Sequence, residues 1–157
     1  MILLSAGLRC VRDLLVCGQR TEAATYASKF EKGLFMSVLF LEYPKCSTCK
    51  KAKKWLDEHG VEYVDRDITT ENPTAAELAE WHERSGLPLR RLFNTSGMKY
   101  RELGIKAKLD AGMTDAECFD VLATDGMLVK RPLLVGDDFV IPGFKEEAWA
   151  EALGLSL

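Results

Sequence analysis

Apolar side chains near the start of the main domain follow the spacing of a short strand and then of a helix. Residues 38–42 are a run of strand-forming apolar residues that ends in a glutamate. In residues 47–59 the large apolar residues return at intervals of three and four, which predicts a helix, and Gly60 suits its C-terminal cap. One side of this helix carries Ala52, Trp55, Leu56 and His59, and we expect His59 to lie on the helix surface or to be only partly packed.

The alternation of strand and helix continues through the next segment. Residues 61–68 alternate between apolar and polar side chains and predict a second strand, which a right-handed crossover would place parallel to the first. A second helix is expected over about residues 72–85, with Leu78 and Trp81 as its core anchors and Gly86 at its end.

The rest of the chain changes from long to short elements. Residues 87–125 predict several short helices, one of which begins with a capping box at residues 114–117. Two apolar runs, residues 132–135 and 139–141, flank a Gly-Asp-Asp turn and predict a tight hairpin. A final helix is expected over about residues 145–153. The predicted order is β-α-β, a helical insertion and β-β-α, which indicates an α/β domain.

Composition and charge limit the cellular compartments and the classes of partner that we expect. The net charge of −3 gives no bulk electrostatic attraction to nucleic acid, and no segment has the apolar length that a membrane-spanning helix needs. The five cysteines include one close pair, and an odd count of this kind indicates a reducing compartment with a working dithiol. We therefore expect a cytoplasmic monomer.

The native domain is expected to begin near Met36. This methionine lies just before the first strand, and Glu31–Gly33 can be encoded by purine-rich bases that resemble a bacterial ribosome-binding site. We therefore interpret residues 1–35 as an extension outside the native domain and residues 36–157 as the domain. A native N-terminal arm and a transit peptide are the alternatives.

The motif that carries chemistry is the Cys-Ser-Thr-Cys sequence at residues 46–49, which follows the first strand and opens the first helix. A thiol at a helix N-terminus faces unpaired backbone N–H groups and the positive end of the helix dipole, and both favour the nucleophilic thiolate. Cys46 is therefore the expected exposed nucleophile, and Cys49, one turn further, the more buried resolving thiol. Among the flanking lysines, Lys50 is our candidate for substrate contact. The arrangement is typical of a thioredoxin-like redox site.

The cysteine pair has two other interpretations, a zinc site and a purely structural pair. A zinc site would need two further ligands, and the remaining candidates His59, His82 and Cys118 do not form a paired pattern. A purely structural pair is the second alternative. The position at the start of a helix favours redox chemistry.

Lys130-Arg131-Pro132 forms a second candidate group. A proline that opens a strand often marks only an edge or a first-residue position. In thioredoxin-like folds, however, a cis proline at this place packs against the active-site cysteines, and the cis form costs far less before proline than elsewhere. Arg131 would then lie near Cys46, where a guanidinium lowers the thiol pKa and can bind an oxyanion, and Pro132 would border the substrate.

Arg90 and the Asn-Thr-Ser-Gly sequence at residues 94–97 form a third candidate group. These residue types favour turns, so the plainest interpretation is a capped start of the following helix. The functional interpretation brings Arg90 and this loop to the rim of the Cys46 pocket.

Together these stretches resemble the arsenate-reductase-like family, which also contains the Spx-type regulators. The likeness covers about residues 37–153 and implies a thioredoxin-like fold with a helical insertion in its middle. The matching stretches are Tyr43–Ala52, Phe93–Gly97, Tyr100–Gly104 and Lys130–Leu133.

The resemblance implies roles for three residues and a source of electrons. Cys46 matches the family's nucleophile, Arg131 its anion-binding arginine before a cis proline, and Arg90 a second arginine of the glutaredoxin-linked arsenate reductases. We expect no metal and no tightly bound organic cofactor. The electron donor would be glutathione with glutaredoxin, or thioredoxin.

Two departures from the family pattern change the expected chemistry. The glutaredoxin-linked reductases have a single active-site cysteine, whereas Cys49 can resolve the intermediate internally, as in a two-cysteine branch of the family. They also carry a third arginine just before a later proline, where this chain has Ile141 before Pro142. Losing that cation predicts weak arsenate reduction.

Two functions follow as hypotheses. The first is a thiol–disulfide oxidoreductase that acts on a small-molecule or protein thiol substrate. The second is a redox-sensing transcriptional regulator of the Spx type, whose partner is RNA polymerase and which does not bind nucleic acid directly. The cysteine motif alone does not separate them.

Overall fold

The computed structural model describes residues 38–156, so the proposed extension at residues 1–35 lies outside the described residues. The described part contains four strands and six α-helices. In chain order they are β1 (Val38–Glu42), α1 (Ser47–Glu58), β2 (Tyr63–Asp67), α2 (Ala75–Ser85), α3 (Met98–Glu102), α4 (Ile105–Asp110), α5 (Asp115–Thr124), β3 (Leu133–Val135), β4 (Val140–Pro142) and α6 (Glu146–Leu153). Short 3-10 helices span Leu89–Leu92 and Gly126–Leu128.

The four strands form one mixed sheet in the order β2-β1-β3-β4. β1 pairs with β2 in parallel, as the crossover through α1 predicts, and β3 pairs antiparallel with both β1 and β4. The predicted thioredoxin-like α/β fold is therefore confirmed. β1 lies inside the sheet, and the loop that leaves its C-terminal end carries Cys46.

Successive side chains of β1 point to opposite faces of the sheet, and each face has its own core. Val38 and Phe40 belong to the core formed with α1 and α6, and Leu41 belongs to the core formed with the helical insertion. Large buried members of the first core are Trp55, Leu56 and Trp149. Those of the second are Leu78, Trp81 and Leu122. The sheet is thus covered on both faces, and α1 is buried along one side from Cys49 to Leu56.

The helix ends follow the sequence signals closely. Thr74 and Thr114 each form a capping box with the glutamate three residues later, an arrangement that stabilises a helix start by about 1 kcal/mol. Gly86 takes the left-handed conformation (φ 59°) that favours glycine. His59 is exposed, as expected, because α1 ends at Glu58, and its imidazole stacks on Trp55.

The longest helix within residues 38–156 is α1, with 12 residues. Within this range, no helix combines the length and the apolar character that crossing a membrane requires.

Candidate functional site

Cys46 sits at the mouth of a cleft of about 670 Å³. A tight turn leads from β1 into α1, in which the backbone N–H of Cys46 donates to the carbonyl of Tyr43 at 2.8 Å. Cys46 is the N-cap residue of α1, so its thiol lies at the end of the helix where backbone N–H groups are unpaired. The side chain is half-buried, whereas Cys49, one turn further along α1, is fully buried. The structure therefore places the two thiols as the motif predicts.

The environment of Cys46 favours its thiolate. Burial opposes ionisation, but the backbone N–H and the thiol of Cys49, the backbone N–H of Thr48 and the charge of Arg131 together outweigh it and lower the pKa of Cys46. Since the thiolate is the nucleophilic form, Cys46 is the thiol prepared to react first.

The second thiol is held in the opposite state. Burial, a hydrogen bond donated to the sulfur of Cys46, and the charges of Cys46 and Glu42 raise the pKa of Cys49 to about 12, against the lowering effect of a backbone hydrogen bond from Tyr43. Cys49 is therefore protonated at neutral pH while Cys46 is unreacted. The surroundings of the two cysteines therefore shift their pKa values in opposite directions.

We expect the thiol of Cys46 to titrate well below the value of about 8.5 for a free cysteine. In Cys49→Ser protein, where the hydroxyl still donates a hydrogen bond, the rate of alkylation by iodoacetamide should rise with pH and level off at a lower pH than for a free thiol. The Cys46 adduct, identified by mass spectrometry, reports this rate.

A variant without the Arg131 charge tests whether this arginine contributes to the lowered pKa of Cys46. Arg131→Met should move the midpoint toward the free-thiol value, because it removes a cation that lowers the pKa of Cys46. Lys54→Met is the control, since Lys54 is an exposed lysine of α1 that pairs with Glu58 outside the cleft. A midpoint at or above 8.5 in the Cys49→Ser protein would contradict the prediction.

Arg131 is held in place from two directions. Its Nη1 donates to the carbonyl of Met127 at 3.2 Å, and its guanidinium carbon lies 5.0 Å from the centre of the Tyr43 ring. The Arg131–Pro132 peptide bond is cis, as expected, and the carbonyl of buried Pro132 accepts a hydrogen bond from the N–H of Gly143 at 2.7 Å. The structure therefore brings Arg131 to the cleft that contains Cys46.

The loop at residues 94–97 forms another wall of the cleft. Asn94 is buried; its N–H donates to the carbonyl of Leu128 at 2.7 Å, and its side-chain amide donates to the carbonyl of Met127 at 3.2 Å. A Cβ on Gly97 would come within 2.6 Å of that amide nitrogen, so the loop needs glycine there. Asn94 and Arg131 thus bind the same carbonyl, which couples this wall to the arginine.

Three predicted substrate contacts are not brought to the cleft, and one of them, Pro132, is buried just before β3 and does not line it. Arg90 forms an ion pair with Asp110 at 2.6 Å, and its neighbour Arg91 lines the cleft instead. The cause is the 3-10 helix at Leu89–Leu92, in which successive side chains point about 120° apart, so only one of two adjacent arginines can face a given side. Lys50 is exposed on α1 and does not line the cleft.

Three residues near the site were not identified from the sequence as contributors. Arg91 and Lys145 line the cleft from the insertion and from the N-cap of α6. Glu42 is 6% exposed and lies 3.5 Å from the Nζ of Lys53. The sequence could have indicated the position of Glu42 alone, because the period-two spacing of β1 puts it on the same face as Val38 and Phe40, which α1 covers.

The described residues offer no arrangement typical of a metal site. Within residues 38–156, no group of three or more His, Cys, Asp or Glu side chains is placed to hold a metal ion. Cys118 is buried in the core on the other face of the sheet, where burial and the charges of Asp115 and Glu117 raise its pKa. Among the three described cysteines, Cys46 alone lines the cleft.

The chain is similar to members of one protein family. A model of the ArsC family matches residues 41–152. The Bacillus subtilis protein YusI, itself uncharacterized, is 52% identical over 116 residues, which are 74% of this chain and 98% of YusI. An ArsC family related protein of known structure from Bacteroides fragilis is 52% identical, with a TM-score of 0.71 over 75% of this chain and 98% of that one. The Bacillus subtilis regulatory protein MgsR is 28% identical over 105 residues, covering 67% of this chain and 81% of MgsR.

Proposed function

Since the chain belongs to the ArsC family, we propose that it is a thiol–disulfide oxidoreductase with Cys46 as nucleophile and Cys49 as resolving thiol. One observation carries the proposal: a thiol of lowered pKa faces a cleft, and a second thiol of raised pKa lies buried one turn behind it. A structural cysteine pair has no need of that asymmetry.

In the first step the Cys46 thiolate attacks one sulfur of a substrate disulfide. A bond forms between Cys46 and that sulfur, the substrate's S–S bond breaks, and the departing thiolate takes a proton from solvent. Arg131 supplies positive charge near the reacting sulfur, which lowers the pKa of Cys46 and so raises the share of the nucleophilic thiolate.

In the second step Cys49 must lose its proton and attack Cys46. Two of the causes that raise the pKa of Cys49 are its hydrogen bond to Cys46 and the charge on Cys46. Both disappear when Cys46 enters a mixed disulfide, because that sulfur is then neutral. Formation of the intermediate therefore lowers the pKa of Cys49 and starts the step that resolves it. The products are the second substrate thiol and a Cys46–Cys49 disulfide.

In the third step an external thiol or dithiol reduces that disulfide. The attack falls on Cys46, because Cys49 is buried. Thioredoxin and glutathione with glutaredoxin are the two proposed donors. No metal and no tightly bound organic cofactor enters any of the three steps.

A turnover screen tests the proposal. Purified protein is supplied with bis(2-hydroxyethyl) disulfide or arsenate, and NADPH oxidation is followed with a thioredoxin system or with glutathione, glutaredoxin and glutathione reductase. We expect disulfide turnover above the rate of the reductant systems alone. An absence of turnover with every combination would contradict the proposal.

A second candidate function is a redox-sensing regulator that binds RNA polymerase. The likeness to MgsR supports it, as does the exposure of Met98 (73%) and Leu103 (43%) in the insertion, next to the loop that lines the cleft. Purified RNA polymerase core enzyme discriminates between the candidates. Stable binding that depends on the redox state, without disulfide turnover, would favour the regulator.

A further inference from the structure

The charge of the cleft is opposite to that of the chain. Among the described residues, four cationic side chains and no carboxylate line the cleft. The chain as a whole has 24 acidic and 21 basic residues. The cations come from three separate parts of the fold and are Arg91, Lys130, Arg131 and Lys145. A concentration of one sign of charge in a concave surface attracts ligands of the other sign.

These cations are not neutralised by neighbouring carboxylates. Within residues 38–156, none of the four takes part in a salt bridge, whereas Arg90, outside the cleft, is paired with Asp110. Their charge is therefore available to a ligand that enters the cleft.

The size and lining of the cleft point to an organic ligand. Its volume of about 670 Å³ lies within the range of about 300–1,000 Å³ that is usual for sites that bind organic molecules. The lining also includes five apolar residues, which are Leu87, Ile141, Pro142, Phe144 and Ala148. A carbon chain with an anionic end group matches this combination better than a small tetrahedral oxyanion does.

We propose that the cleft selects low-molecular-weight disulfides whose two halves carry carboxylates. This rests on the proposed function and names its substrate class. The cations hold the carboxylates while the Cys46 thiolate attacks the nearer sulfur. The first half then stays bonded to Cys46, the second leaves as a thiol after taking a proton from solvent, and Cys49 releases the first half as a thiol. Each substrate disulfide takes two electrons, and the protein becomes the Cys46–Cys49 disulfide.

Three disulfides of nearly equal length test the selection. They are 3,3′-dithiodipropionate (anionic), bis(2-hydroxyethyl) disulfide (neutral) and cystamine (cationic). Reduced full-length protein is mixed with each in excess, acid-quenched, and the loss of its free Cys46 is measured by mass spectrometry. Dividing each rate constant by that of the same disulfide with 2-mercaptoethanol removes differences in intrinsic reactivity. No electron donor is needed, because a single oxidation is observed.

We expect the normalised rate to fall from the anionic to the neutral to the cationic disulfide, with at least about a tenfold span that shrinks as salt is added. Lys145→Gln and Lys130→Gln should each reduce the ratio between the normalised rates of the anionic and the cationic disulfide. Lys54→Gln removes the same charge from an exposed position outside the cleft and should leave it unchanged.

The outcomes separate the two proposals. If all three disulfides react at equal normalised rates, or cystamine reacts fastest, the charge selection is wrong and the oxidoreductase function stands. If none reacts faster than with the reference thiol, the proposed function fails and the substrate class fails with it. If Lys54→Gln reduces the difference between the three normalised rates as much as the cleft variants do, the charge of the whole protein, and not that of the cleft, determines which disulfide reacts fastest.

Discussion

Cys46→Ser protein is expected to lose disulfide turnover by roughly a thousandfold or more, down to the rate of the reductant system alone. A serine hydroxyl is not ionised near neutral pH, so neither the N-terminus of α1 nor Arg131 can convert it into a nucleophile. The fold should be unaffected, because Cys46 lies at a helix cap and not in either core. Steady-state turnover and the thermal midpoint, measured on the same preparation, check both parts.

Cys49→Ser is the matched variant and should fail at a later step. It retains the Cys46 thiolate, so it should react once with a disulfide and stop as a mixed disulfide, visible as a protein mass increased by one substrate half. The next turnover should then depend on an added thiol. Undiminished turnover of Cys49→Ser with thioredoxin would show that Cys49 is not the resolving thiol.

Arsenate reduction by the unaltered protein is expected to be weak or absent, and Ile141→Arg should raise it about a hundredfold. Transfer of a multiply charged oxyanion to a thiolate needs charge neutralisation as well as a nucleophile. Ile141 lines the cleft just before Pro142, at the place where the arsenate-reductase-like pattern has an arginine. A missing donor of this kind costs roughly 3 kcal/mol, which corresponds to about a hundredfold in rate.

Two controls separate charge from shape in this experiment. Ile141→Gln introduces a polar side chain without a cation and should leave arsenate reduction weak. Disulfide turnover measured on the same variants shows whether Cys46 remains competent. Robust arsenate reduction by the unaltered protein would overturn the prediction and would point to Lys130, which also lines the cleft, as the missing cation.

Local signals were sufficient for most of the fold. The capping box at Thr114 and the helix-ending glycine at Gly86 depend only on neighbouring residues, and both were predicted. β2 was predicted by its alternation, yet its burial does not alternate and Val64 is 42% exposed. β2 is an edge strand whose only neighbour in the sheet is β1. At the edge of the sheet its side chains stay partly exposed, so the alternation in its sequence does not predict which of them are buried.

The site was predictable where its residues adjoin a motif. Cys46, Cys49 and Arg131 were identified because a helix start and a proline fix their positions. Arg91 and Lys145 depend on how the insertion and α6 approach α1, which no short-range spacing encodes. The substrate roles of Lys50, Arg90 and Pro132 were expected from neighbourhood in the sequence and from resemblance, and none of these three side chains lines the cleft.

The stabilised thiolate of Cys46 has a consequence for the resting state of the protein. The interactions that favour this thiolate, those with Thr48, Cys49 and Arg131, exist in full only while Cys46 is reduced. They therefore shift the equilibrium between dithiol and disulfide toward the dithiol, as in other proteins whose reduced form is stabilised, and make the disulfide the stronger oxidant. In the proposed mechanism we therefore expect a mild reductant to be sufficient to restore the dithiol, which would be the resting form of the protein.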